Sequence, residues 1–185
     1  MKRVMLFVLL LPLFVIPLAQ ADWFPGENLL TSFSPSTEEW EALEKKEEGL
    51  HTRLWQRKGA GLNDSYSVSV ISGLEEKLSK FRNDQYAPGK KSCETFESEV
   101  LNESPTNGYS RLMWRTRCGD KGGFVASILQ VAIQGRDSFY HVQKIWRADV
   151  PEQEMALWLE RLSSISVCDT REPERPCPEG FKRVQ

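Results

Sequence analysis

Residues 124–147 read FVASILQVAIQGRDSFYHVQKIWR, two strand-like runs about the turn Gly135-Arg136-Asp137-Ser138, and this stretch decides the fold. Gly, Asp and Ser at the turn separate segments rich in β-branched and aromatic residues, the pattern of a hairpin. Side chains alternate across a strand. Tyr140, Val142, Lys144 and Trp146 therefore share one face, and Phe139, His141, Gln143 and Ile145 share the other. Both faces carry large residues, so one covers the core and the other requires a helix or loop above it.

The cover on one side follows directly. Asp149 and Glu152 match a capping box, Pro151 is tolerated in a first helical turn, and Met155, Trp158, Leu159, Leu162 and Ile165 repeat at helical spacing. Further upstream, Ser72 and Glu75 match a second capping box before Leu74, Leu78 and Phe81, a helix that residues 83–91 with Pro88 and Gly89 are expected to end. Tyr66, Val68 and Val70 alternate with Ser65, Ser67 and Ser69, giving a strand with one buried face. Residues 51–57 read as an edge strand, residues 58–64 as a loop, and residues 29–33 as a short strand. Ser36 and Glu39 open a polar, helix-forming run that Gly49 closes, with only Trp40 and Leu43 on its apolar stripe. Residues 94–101 and 110–117 form another hairpin. The sum is an α+β protein, a single two-layer domain in which a mainly antiparallel sheet is covered by helices.

The 185-residue chain is 40% apolar and 27% charged, which excludes fibrous, largely disordered and multi-span membrane classes. Lys2 and Arg3, the apolar run from Val4 to Leu18 and Ala19-Gln20-Ala21 make a cleavable export signal over residues 1–21. Residues 22–185 are then one exported domain, with no permanent membrane anchor. The 24 basic and 26 acidic residues give −2 overall, and losing Lys2 and Arg3 leaves 22 − 26 = −4. No nucleic-acid partner fits that charge.

Four cysteines allow three complete pairings. Export makes two bridges the expectation, and intervals of 25, 50 and 9 residues do not match a zinc site, so neither metal nor other cofactor is expected. Cys168 and Cys177 lie nine apart around two prolines and would restrain the tail. Cys93 and Cys118 fall opposite each other if residues 94–101 and 110–117 fold about position 105.5. That register sets Phe96 and Val100 across from Arg115 and Arg111, a mismatch that a bulge can repair.

Chemistry is sparse. His51 and His141 are the near-neutral proton carriers, but neither lies in a hydrolase motif. The glutamates of residues 38–48 fit a solvated face, Glu75 is occupied as a cap, and Lys121-Gly122-Gly123 reads as a turn. Large rings and arginines make protein-binding anchors, so the candidate interface comprises Trp114, Arg136, Tyr140, His141, Trp146 and Arg147, the rings doubling as core residues. The run from Ala132 to Arg147, with Cys168-Asp169-Thr170-Arg171 and Cys177-Pro178, resembles an uncharacterised family of exported bacterial proteins. The resemblance covers the final third to half of the chain and implies an exported bacterial location and a terminal disulfide. The reading is a non-enzymatic periplasmic or secreted accessory or immunity factor that binds another protein. The alternatives are an exported hydrolase whose residues converge only in space, or a small-ligand binding module.

Overall fold

The computed structural model describes residues 26–123, 125–174, 176–177 and 182–183; the export signal read at residues 1–21 lies outside them. The central hairpin is formed by β7 (Val125–Gln134) and β8 (Ser138–Trp146), paired antiparallel from Ser127↔Trp146 to Gln134↔Phe139. Outward on one side lie β6 (Ser110–Gly119) and β5 (Thr95–Asn102). On the other side come β4 (Gly61–Ser72), β3 (Leu50–Arg57) and β2 (Trp40–Glu47). The result is a seven-stranded sheet of order β2-β3-β4-β8-β7-β6-β5, antiparallel throughout. A small sheet pairs β1 (Glu27–Thr31) with β9 (Ser166–Asp169) and β10 (Lys182–Arg183).

Two helices cover the large sheet, one on each face, so each face makes a helix-on-sheet pair of layers. Helix α1 (Leu78–Ser92) seats Phe81 against Phe139, ring centroids 4.5 Å apart, with Leu112, Trp114 and Ala132 alongside. On the opposite face, α2 (Glu152–Ser163) brings Trp158 and Leu162 onto Tyr66, Val131, Val142 and Trp146. Burying each such ring or leucine stabilises the fold by about 1.5–3 kcal/mol. The α+β class with an antiparallel sheet under helices is the one expected, and the two-sided demand of β8 is its cause.

Six local expectations are corrected. Residues 36–49 are not a helix. Ser36 does take the Glu39 amide on its Oγ at 3.4 Å and closes one turn, after which the chain extends as β2 in register with β3 from Trp40↔Arg57 to Glu47↔Leu50. A helix there has only two apolar residues to bury, whereas pairing with β3 along the full length of the segment extends the sheet and buries Trp40; glutamate and lysine propensities lose to that. Consequently β3 is an interior strand and β2 the edge.

Helix α1 starts six residues later than its expected cap. Ser72 still pairs in β4, Gly73 turns the chain at φ +68°, and the helix follows Lys77 with no side-chain cap. It also runs through Pro88 to Ser92. Cys93 is joined to Cys118, and the Ser92 hydroxyl donates to the Pro88 carbonyl at 3.0 Å, which tie down a last turn weakened by the missing proline N–H. Helix α2 likewise begins after Pro151 with no side-chain cap, so Asp149 does not serve as one.

The β5–β6 register is shifted by three residues from the expected one, with Phe96 opposite Cys118 and Val100 opposite Trp114; a bulge follows, after which Asn102 faces Met113. This shift puts Phe96, Val100 and Trp114 on one face and removes the arginine mismatch. Cys93 reaches Cys118 from the end of α1, with the alpha carbons 5.4 Å apart. Cys168 is joined to Cys177, alpha carbons 5.0 Å apart.

Candidate functional site

The β7–β8 turn and the segment after β9 form one charged assembly. Glu27, buried on β1, accepts the Arg136 amide at 2.5 Å, the Asp137 amide at 3.0 Å and the Tyr140 hydroxyl at 3.3 Å. Arg171 donates to both carboxylate oxygens of Asp169, at 2.9 and 2.8 Å, and to Asp137 at 2.6 Å. That fork holds the fully buried Asp169 down to about pKa 2. Arg136 pairs with Glu172 at 2.6 Å. Residues 136–140 and 169–172, far apart along the chain, are thus joined with Glu27 in one physical unit.

Gly135 has no room for a side chain. A β-carbon there falls 2.5 Å from the Glu27 carboxylate and 2.5 Å from the Ser138 carbonyl, and the second of these is backbone. Gly135→Ala must therefore displace the turn and break the Glu27 hydrogen bonds. It is expected to cost about 1–3 kcal/mol of stability, read from the denaturant midpoint; an unchanged midpoint would show that Glu27 does not pin the turn.

His141 lies under α1, with Trp114 stacked on it at 5.9 Å and Phe81 edge-on at 4.9 Å. Gln143 Nε2 donates to its Nδ1 at 3.1 Å, leaving Nε2–H to donate to Gln130 Oε1 at 3.0 Å. Burial pushes its pKa down to about 3, so the ring is neutral near pH 7 and held as a link in a chain of amides. His51 is paired with Glu44 at 2.6 Å on the outer β2–β3 ribbon. Neither histidine is hydrogen-bonded to a nucleophile. No group of three or more His, Cys, Asp or Glu among the described residues is placed to hold a metal.

The opposite face holds the group that the sequence reading missed. Lys144 is fully buried, its ammonium 4.4 Å from the Trp146 ring centroid, 4.9 Å from Trp158 and 5.3 Å from Trp40. It donates to Asp64, which also takes Arg57 Nε at 2.5 Å. Trp146 Nε1 donates to Glu154 at 3.1 Å. Burial pushes Lys144 down to about pKa 8 against the upward pull of Asp64. A lysine within the apolar alternation of Tyr140, Val142 and Trp146 was the available signal.

Of the six candidate interface residues, Trp114, Tyr140, His141 and Trp146 are buried, whereas Arg136, its side chain 52% exposed, and Arg147 are exposed. The uncovered surface lies elsewhere. Helix α1 packs against β6 and β7, so among the described residues no helix lies over the part of its sheet face on β2, β3 and β4. Register places Leu43, Leu54, Ser67 and Gln143 in one row there, with Thr52 and Ser69, hydrogen-bonded at 2.9 Å, in the next. Leu43 is 49% exposed.

Fold and site together describe an α+β protein whose antiparallel sheet is roofed on one face and half-roofed on the other. No family model matches the chain, and no curated protein matches it. Among solved structures it is similar to the solution structure of cyanobacterial PsbP (CyanoP) from Synechocystis sp. PCC 6803, with 15% identity and a TM-score of 0.45. That likeness covers 82% of this chain and 99% of that one. No helix among the described residues is long and apolar enough to cross a membrane.

Proposed function

We propose that this chain is an exported, non-enzymatic accessory or immunity factor, processed after Ala21, that binds another protein through the open face of β2, β3 and β4. The observation that carries this reading is the row Leu43, Leu54, Ser67 and Gln143, two leucines and two hydrogen-bonding groups on a sheet surface with no helix above it among the described residues. An interface of this composition, apolar at its centre and polar around it, suits a protein partner. Arg136 is held in the turn assembly by Glu172. The hydrolase alternative loses support because its better proton carrier, His141, is buried and neutral.

The test is a photo-reactive side chain at Leu54 in the exported protein, irradiated in the source cell. A single cross-linked protein is expected, its yield reduced at least tenfold by Leu43→Glu directly opposite, with no such product from the same probe at Lys121. Absence of a discrete product from Leu54, or the same products from Lys121, would overturn the reading.

A further inference from the structure

A cavity of about 310 Å³ lies between the second half of α1 and strands β5 to β8. It is distinct from the open face of β2, β3 and β4. Its floor is apolar, made by Phe96, Ala126, Ile128, Ile145 and the Cys93–Cys118 bridge. Its size is at the small end of the range that ligand pockets occupy, about 300–1,000 Å³.

The polar groups in its wall are the informative part. Thr116 is 4% exposed, faces this cavity from β6, and its hydroxyl has no hydrogen-bond partner among the described residues. A buried hydroxyl left unpaired costs about 1–3 kcal/mol, so a group that satisfies it is favoured. Gln130 is oriented by its neighbours: Gln143 occupies one nitrogen of His141, the other nitrogen donates to the Gln130 carbonyl oxygen, and the Gln130 NH2 is the end left over. Arg147 lines the same cavity, exposed and without an ion pair among the described residues. No Asp or Glu among the described residues lines it. Thr116, Gln130 and Arg147, the last cationic, therefore offer donors beside an apolar floor with no opposing negative charge among the described residues.

We propose that this cavity binds a small amphipathic anion, a carboxylate or sulfonate on a short acyl chain or compact aromatic body. The head group accepts from Arg147, Gln130 and Thr116, and the body lies on Ile128, Ile145 and the disulfide. A free acid and the chain of a larger lipid share this chemistry, and the size of the cavity favours the free acid.

The test uses the mature, oxidised protein with anilinonaphthalene sulfonate as a fluorescent probe and decanoate as competitor. Saturable binding of one probe per chain is expected, displaced by decanoate, and at least tenfold more weakly by decanol or by a decanoyl phospholipid. Arg147→Gln, at an exposed position, is expected to weaken probe binding at least tenfold with the unfolding midpoint unchanged. Thr116→Val separates a ligand role from a structural one: probe affinity falls severalfold while stability holds or rises, because the hydroxyl has no partner to lose. Failure of the wild-type protein to bind saturably, equal displacement by decanol, or binding indifferent to Arg147→Gln would each overturn the proposal. Preferential displacement by the phospholipid would overturn the assignment to a free acid. None of these outcomes bears on cross-linking from Leu54.

Discussion

Asp64→Asn is expected to lower the unfolding free energy by about 3–5 kcal/mol, because it leaves the Lys144 ammonium buried among three tryptophan rings without its counter-charge. The rings attract a cation but replace neither the carboxylate nor its hydrogen bond. Lys144→Met in the Asp64→Asn background should recover most of the loss, since it removes the charge that the first change stranded. A pH series supplies the second check. Lys144 titrates near 8 in the folded chain against an ordinary value of 10.5, so between those values the unfolded chain binds more protons and stability rises with pH. Relative to Lys144→Met, the wild-type protein should gain roughly 3 kcal/mol from pH 8 to above 10.5. Below pH 8 the difference should be flat. Denaturant midpoints of the two proteins across this range decide it; parallel curves would mean that burial does not hold Lys144 below its ordinary value in the folded chain.

Replacing Cys93 and Cys118 by serine is expected to cost about 2–4 kcal/mol. The bridge spans 25 residues of sequence and joins the end of α1 to β6. Phe81, near the start of α1, is its buried anchor, and Pro88 weakens the other end. The loss should therefore be uneven. Amide exchange should accelerate first in residues 84–92, before the sheet responds, and the melting temperature should fall. Unchanged exchange in that segment together with an unchanged melting temperature would show that packing alone holds the helix.

The central hairpin was legible because alternation of large residues on both sides of 139–146 has few solutions other than a sheet covered twice. Helix α2 was legible for a similar reason, Trp158 and Leu162 having a broad apolar stripe to share. The β2 segment was not, since Glu, Lys, Ala and Leu favour a helix locally and the deciding contribution, pairing with residues 50–57, comes from outside the segment. In the β5–β6 hairpin, the Cys93–Cys118 pairing could be read but the register could not: Cys93 stands at the end of α1, beyond the ladder, so symmetry about position 105.5 was a false guide. Asp64 was hidden in what reads as a loop. Its partner Lys144 looked like the polar residue of an amphipathic strand until α2 was placed above it.

The strand order β2-β3-β4-β8-β7-β6-β5 has a kinetic consequence. Three strands on one side and four on the other are each joined to their neighbours by short-range connections. The seam between β4 and β8 instead brings residues 64–72 onto residues 138–146. Each half can zip locally, but the whole must close a long loop before the seam is rewarded, and such closure is slow. The Asp64–Lys144 pair sits on that seam, and a strand slipped by one residue would turn Lys144 toward the wrong face. The buried charge thus gives the late, non-local step a register check that an all-apolar seam would lack.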